Sequence, residues 1–392
     1  MKILHIITRL IVGGAQENTL LTCEGLHKRG HEVILLTGPS IGAEGSLMQR
    51  AEAGGYKVML TPHLVRSPHP WHDWRAYRKI ENICRELKPD VVHTHSSKAG
   101  IVGRAAAWRV RGKNSKLETR NLKLSVVHTI HGLPFHPYQN AAANRLWISL
   151  ERWAAKRCDA IICVADAMTR QALAAGVGRA DMYTTIYSGM EAQTFVSPGT
   201  TREQIRTKYG IPPTAFVFGT IARLQPLKGH DDLLTTANEL FARVPDAHLM
   251  WIGDGIFRQR FEKMLAEKGW SDRVTMTGLV PPTEVPRLLP ATDALVHPSY
   301  REGLARALPQ GLLAGVPVIS YDCDGAGEVC LDGQTGFLVK TGDAQGLCEA
   351  MVKMASNRAA AKAMGAFGRN YCMERFPAEV MVRRIEELYH RI

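Results

Sequence analysis

Short apolar runs alternate along the chain with longer segments of helical period. The first half predicts strands at Lys2–Thr8, Glu32–Thr37, Val58–Thr61, Val91–Thr94, Ser125–Ile130 and Ala160–Val164. Between them the spacing predicts helices near Ala15–Arg29, Trp74–Leu87, Ala99–Val110 and Asn144–Lys156. Trp74, Tyr77, Ile80, Cys84 and Leu87 read as a buried stripe, with Trp71 outside it. Leu146, Leu150 and Trp153 read as another, with Arg145, Arg152 and Lys156 on a solvated face. A second series begins at Phe216, with strands at His248–Gly253, Val274–Thr277, Asp293–His297 and Val316–Ser320 and a helix over Ala305–Ala314 closed by Gly315. Ala378–Ile392 reads as an amphipathic helix. This alternation predicts an α/β protein with mostly parallel sheets, which places ligands at the carboxyl ends of strands.

With 392 residues the chain is too long for one core and comfortable for two. No apolar run reaches the ~18 residues of a spanning helix, and Met1–Ile7 reads as a first strand rather than a signal peptide. The eight cysteines are scattered without a C-x-x-C pair, which reads as reduced core residues of a cytosolic protein. The net charge of +12 is uneven: the first 190 residues hold 26 Lys+Arg against 14 Asp+Glu, and the remainder balances at 23 each. The basic half suits an anionic surface or substrate, or serves solubility alone. Gly112–Lys123, with Lys113, Lys116, Arg120 and Lys123, reads as a polar loop, and contact with anionic lipid is its secondary reading. Nothing in the pattern calls for nucleic acid.

Candidate chemistry sits where strands end. Gly13 and Gly14 open the first helix, where a backbone can approach phosphate closely; a plain tight turn is the alternative, and the pair is no G-x-G-x-x-G. His95, Ser96, Ser97 and Lys98 end the fourth strand. Lys98 opposes the helix dipole there, which makes an acceptor phosphate one candidate partner, while His95 reads as a structural hydrogen-bonding residue. His131, followed by Gly132 and Pro134, reads equally as a satisfied structural histidine and as a catalytic one. In the second series Arg223 and Lys228 flank a loop and are placed to clamp a diphosphate. Gly278 closes a strand that borders a base. Glu302, Gly303 and Leu304 fall between a strand and a helix, so Glu302 reads as an acceptor for sugar hydroxyls beside a phosphate, with Gln310 two turns deeper towards a ribose. Asp322-Cys323-Asp324 is literally D-x-D, yet it follows a buried strand and is read as part of a turn.

The ordered series Glu302, Ala314-Gly315-x-Pro317-Val318, Gly325, Glu328-Val329 and Asp332-Gly333-x-Thr335-Gly336 resembles the donor-site signature of the retaining GT-B glycosyltransferases of family 4. The signature's second Glu is Gln310 here. Gly219-x-x-x-Arg223-Leu224 with Lys228-Gly229 is similar to the family's second motif. The run from His128 to His136 resembles members that act on polyprenyl-diphosphate-linked sugars. The resemblance implies two Rossmann-like domains facing a cleft: 1–190 for the acceptor, 191–375 for the donor, and a helix over 376–392 crossing back to the first. It implies His131 and Glu302 as catalytic residues and Gly13, Gly14, Arg223, Lys228, Gly303 and Leu304 around the donor diphosphate. Gln310, Glu302 and Gly278 would meet the nucleoside or sugar, and Lys98 and His95 the acceptor.

The activity so implied is retaining transfer of a hexose or N-acetylhexosamine from a nucleotide sugar, UDP-linked, to a hydroxyl of a lipid-linked sugar in cell-surface glycan assembly. It needs no metal and no cofactor beyond the nucleotide sugar. It would take place in the cytoplasm or peripherally on the inner face of the cytoplasmic membrane, where an anionic membrane surface is a possible partner. The rivals are a sugar-nucleotide epimerase of the same fold and a nucleotide-sugar-binding protein with little turnover, the latter favoured by Gln310.

Overall fold

Residues 1–40, 45–114 and 124–392 are described by the computed structural model. Seven strands form the first sheet: β1 (Lys2–Arg9), β2 (Glu32–Gly38), β3 (Lys57–Leu60), β4 (Val91–His95), β5 (Ser125–Ile130), β6 (Ala160–Cys163) and β7 (Tyr183–Thr185). Their order is β3-β2-β1-β4-β5-β6-β7, and every pair is parallel. The second sheet has β8 (Phe216–Ile221), β9 (Ala247–Ile252), β10 (Val274–Met276), β11 (Ala294–His297), β12 (Val318–Asp322) and β13 (Gly336–Lys340). Its order is β10-β9-β8-β11-β12-β13, again all parallel. In both sheets the order reverses beside the first strand, between β1 and β4 and between β8 and β11, which marks a ligand site in such sheets.

The chain divides into two compact units, Met1–Met190 with Ala378–Ile392 and Glu191–Pro377. In the first, the helix Ala378–Arg391 lays Met381, Val382, Ile385, Leu388 and Tyr389 into the core beside Leu20, Leu21 and Leu26 of the helix Gly14–Lys28. In the second, Phe216, Phe218, Trp251 and Phe261 centre the core. All eight cysteines are buried.

Several expectations change. The helix placed at Trp74 starts at Pro70, because proline is well suited to the first helical position and His69 caps it, accepting from the His72 amide at 3.3 Å. Trp74 then points outward, 52 % exposed, and stacks on Trp71, itself 55 % exposed. The stripe of Leu146 and Trp153 is also outward, at 59 % and 42 %. The helix Ala141–Ala155 instead buries Glu151, Ala154 and Ala155, since Glu151 must reach the fully buried Arg104 at 2.7 Å. A charge without a partner there would be expensive, so the ion pair sets the rotation of the helix. The fourth strand's helix runs to Asn114, so Gly112 and Lys113 are helical. Lys116, Arg120 and Lys123 lie outside the described residues. β7 and β13 were not foreseen; the three residues of β7 are too short to show a period.

Candidate functional site

In the second unit, the loop after β8 leans on the loop after β11. Gly229 has φ +74°, and a Cβ there would meet the Pro298 carbonyl oxygen at 1.9 Å, so only glycine permits this approach. The Leu227 carbonyl accepts from the Tyr300 amide at 2.9 Å and lies 3.1 Å from Ser299 Oγ. This docking brings Lys228 Nζ into an ion pair with Glu302 Oε1. Ser299 Oγ donates to the same oxygen at 2.9 Å, and His297 Nε2 lies 3.2 Å from it. The Glu302 amide donates to Asp324 Oδ2 at 2.7 Å. Glu302 Oε2 makes no hydrogen bond among the described residues and is not sealed from solvent. One oxygen is thus consumed in holding the carboxylate, and the other is presented. Burial pushes the carboxyl up, but the Lys228 charge and the hydrogen bonds from His297 and Lys228 outweigh it and hold the group well below the ordinary carboxylate range.

The placement of neighbouring residues differs from expectation. A bend over 302–306 separates β11 from its helix, which spans only Ala307–Leu313. Glu302, Gly303 and Leu304 therefore do not cap a helix: the Glu302 amide is taken by Asp324, and Gly303 and Leu304 are buried, with the Gly303 carbonyl accepting from the Gly325 amide at 3.2 Å. Gln310 lies in the first turn of that helix, not two turns in, half-buried, and its side chain makes no hydrogen bond among the described residues. Arg223 is exposed on the loop after β8. Gly278, with φ +76°, bridges to Gly253 at the ends of β9 and β10, beside the ion pair of Arg258 and Asp254. Asp322 is exposed at the end of β12, whereas Asp324 braces Glu302.

In the first unit, Gly13 caps and Gly14 starts the helix after β1. Thr8 Oγ1 accepts from the Ala99 amide at 3.2 Å and meets Ser96 Oγ at 2.7 Å, tying the ends of β1 and β4 together. Ser96 has φ +62°, a conformation that strains a serine at this strand end. Lys98 has protein partners, the Asp73 carboxylate and the Ser67 carbonyl oxygen at 2.9 Å, which answers why a cation tolerates this helix start. His131 lines a cavity of about 230 Å³ with Ser96, Ser97, Gly132, Leu133 and Glu151.

Behind His131 runs a row of imidazoles. His131 Nε2 lies 3.1 Å from His95 Nδ1, and His95 Nε2 lies 3.0 Å from His5 Nδ1. His5 and His93 are register partners across β1 and β4, and His93 and His95 alternate to the same sheet face. His93 Nδ1 meets Tyr389 Oη, and its Nε2 meets Thr129 Oγ1 at 2.7 Å. Burial lowers His5 to about 3. It also holds His93, His95 and His128 well below the ordinary histidine value, helped by neighbouring imidazoles and, at His128, by Arg104. Sequence reasoning missed His5, His93, His297, Asp324 and the Arg104–Glu151 pair. Only the His93-x-His95 alternation within a strand gave a signal.

Comparison with known proteins follows this division. Residues 12–194 match the description Glycosyltransferase Family 4, and residues 201–371 match Glycosyl transferases group 1. The chain belongs to the group 1, family 4 glycosyltransferases. It is 24 % identical over 402 residues to the UDP-Gal:alpha-D-GlcNAc-diphosphoundecaprenol alpha-1,3-galactosyltransferase of Escherichia coli, covering 99 % of this chain and 96 % of that one. It is 25 % identical over 371 residues to a GDP-mannose-dependent phosphatidylinositol monomannoside mannosyltransferase of Mycolicibacterium smegmatis, covering 92 % and 90 %. Among solved structures, Anabaena HepE in complex with UDP-glucose superposes with a TM-score of 0.80 over the whole of both chains, at 21 % identity. The fold is GT-B, and the protein is a glycosyltransferase of the hexosyl class. No helix among the described residues is long and apolar enough to cross a membrane.

Proposed function

We propose that this glycosyltransferase moves a hexosyl or N-acetylhexosaminyl group from a UDP-sugar, with retention of configuration, to a hydroxyl of a lipid-linked sugar. The observation that carries the reading is the asymmetry of Glu302. Its Oε1 is gripped by Lys228 and Ser299, with His297 beside it, and its ionised Oε2 is left to accept hydrogen bonds from a sugar's hydroxyls. A charged acceptor fixed in this way is worth about 1.5–3 kcal/mol to a hydroxyl donor. Lys228 and Arg223 offset the charge that grows on a departing diphosphate, the larger electrostatic contribution to such a reaction. The acid among the residues lining the His131 cavity, Glu151, is bound to Arg104, which leaves no spare carboxylate nucleophile there and favours departure and attack on one face. Asp324 is engaged with the Glu302 amide, in keeping with a metal-independent reaction.

The E. coli relative's name, with its UDP-sugar donor and diphosphoundecaprenol acceptor, and the UDP-glucose bound to HepE support the choice of base and acceptor. The outward Trp71, Trp74, Leu146 and Trp153, with Arg75 over Trp71 at 4.9 Å and Arg157 over Trp153 at 3.8 Å, suit the interface of an anionic leaflet. The reaction then belongs on the cytoplasmic side of a membrane, at its surface. Thermal-shift titration with UDP, GDP and ADP tests the donor, with UDP expected to stabilise most. Turnover of the matching UDP-sugar with and without a polyprenyl-diphosphate-GlcNAc acceptor, in the presence of chelator, tests the rest. Acceptor-independent conversion of the donor would mark an epimerase, and tight binding without turnover a binding protein.

A further inference from the structure

His5, His95 and His131 form a chain of three imidazoles joined by two contacts of 3.0 and 3.1 Å. A neutral imidazole has one N–H and one lone pair, so fixing the proton at one contact fixes it at the next. The chain has two polarities. In one, the proton of each ring points from His5 towards His131; in the other, it points back. His5 decides between them. Its Nε2 is buried and has no hydrogen-bond partner among the described residues. If the chain points back, an N–H is stranded at that atom. If it points forward, only a lone pair is stranded, and orphaned buried N–H groups are the rarer and more expensive of the two.

We propose that His95, backed by His5, is a positioning residue that fixes His131 in the tautomer carrying its proton on Nδ1. His5 Nδ1–H donates to His95 Nε2, and His95 Nδ1–H donates to His131 Nε2. His131 Nε2 is thereby spent as an acceptor inside the protein, and Nδ1–H is its donor edge. The proposal rests on the reading of His131 as the residue beside the donor sugar only for its effect on rate; the tautomer itself does not depend on it.

A positively charged His95 would donate on both sides and erase the polarity. Burial, then the facing rings of His93, His5, His131 and His128, hold His95 well below the ordinary histidine value, so that state is not populated near neutrality. The remaining titratable group packed on this face, Tyr389, is held by burial in its neutral form and contacts His93. His5, His93 and His95 have nitrogens close enough to hold a metal ion, but both nitrogens of His93 are taken by the hydroxyls of Tyr389 and Thr129.

The test is long-range 1H–15N correlation NMR of the whole protein with 15N-labelled histidine, His131 being assigned by its disappearance in His131→Gln. Wild type is expected to show a protonated Nδ1 and a bare Nε2 at His131 at pH 7.5. A protonated Nε2, or exchange between tautomers, overturns the proposal, and this measurement needs no variant of His95 to fold. With the UDP-sugar turnover assay, His95→Leu should lower kcat roughly 10–100-fold, the range seen when the partner orienting a metal-bound histidine is removed, with donor KM little changed. His95→Asn, which keeps a donor near the Nδ1 position, should recover much of the loss. If His95→Asn is no better than His95→Leu, the hydrogen bond is not what matters. If His131→Gln turns over normally while the tautomer is as stated, the catalytic reading of His131 fails and the tautomer assignment stands.

Discussion

Lys228 and Glu302, 74 residues apart in sequence, form one ion pair between the loops that follow β8 and β11. The pair means that neither charge acts alone on its surroundings. Removing Lys228 deletes a cation and also leaves the Glu302 charge uncompensated beside the ligand. Breaking a part-buried pair from one side is expensive, roughly 3–5 kcal/mol in fully buried cases and less here, where both side chains keep some exposure.

Lys228→Ala should therefore weaken UDP binding more than the double variant Lys228→Ala/Glu302→Gln does. We expect a loss on the order of 100-fold for Lys228→Ala and little for Glu302→Gln alone, with about tenfold recovered in the double, a coupling of about 1.4 kcal/mol. Isothermal titration calorimetry with UDP and with uridine measures it. Uridine binding should barely change; additive losses would place Lys228 and Glu302 at separate tasks.

Acid should weaken both units below pH 6.5, because burial depresses His5 in the first and His230 and His248 in the second. His5 takes up a proton near pH 6.5 when unfolded but only near pH 3 when folded. Its contribution is fully present above pH 6.5 and is lost as pH falls below that value. The loss is about 1.4 kcal/mol per pH unit, so about 2 kcal/mol by pH 5 from this residue alone. Glu302 works lower on the scale: its depressed pKa means stability lost only below the ordinary 4.5. Urea unfolding at pH 7.5, 6 and 5 should show falling stability, with a shallower slope in His5→Phe. A flat profile would mean that the histidines of this row are charged in the folded protein.

Gln310→Glu should tighten nucleotide binding several-fold. The side chain is half-buried without a hydrogen-bond partner among the described residues, and exchanging a neutral for a charged hydrogen bond to a ribose hydroxyl is worth about 1 kcal/mol. Calorimetry showing no change, or a loss, would remove Gln310 from the ribose.

Anionic vesicles should sediment the protein at low salt and release it at high salt. Trp71→Ala/Trp74→Ala should weaken that binding, because the two stacked rings are outward. Full activity on a water-soluble acceptor with no vesicle binding at low salt would rule out a surface role.

The fold was legible because parallel strands buried on both faces write continuous apolar runs, and these placed every strand but β7 and β13 to within a residue or two at most ends. The donor loop was legible as a string of motifs but not as a geometry. Nothing local tells Lys228 that Glu302 faces it, and the bend at 302–306 displaced a helix that the spacing alone had begun too early. The tryptophans misled for a related reason. Trp153 repeats at core spacing with Leu146 and Leu150, but which side of that helix turns inward was settled by a buried ion pair, Arg104 with Glu151, that no periodicity reveals.

The helix Ala378–Arg391 has a consequence for how the protein is made. It finishes the core of the first unit, yet Glu191–Pro377 must be synthesised before it appears. At roughly 5–20 residues per second, that is a wait of ~10–40 s at the ribosome. Throughout it, the apolar seats of Met381, Val382, Ile385 and Leu388 stand open and His93 lacks Tyr389. The second unit, contiguous in sequence, has no such wait. A nascent first unit is thus a natural client for a chaperone, and a stop codon just before Ala378 should yield an aggregating product even though most of the candidate site residues have already been translated.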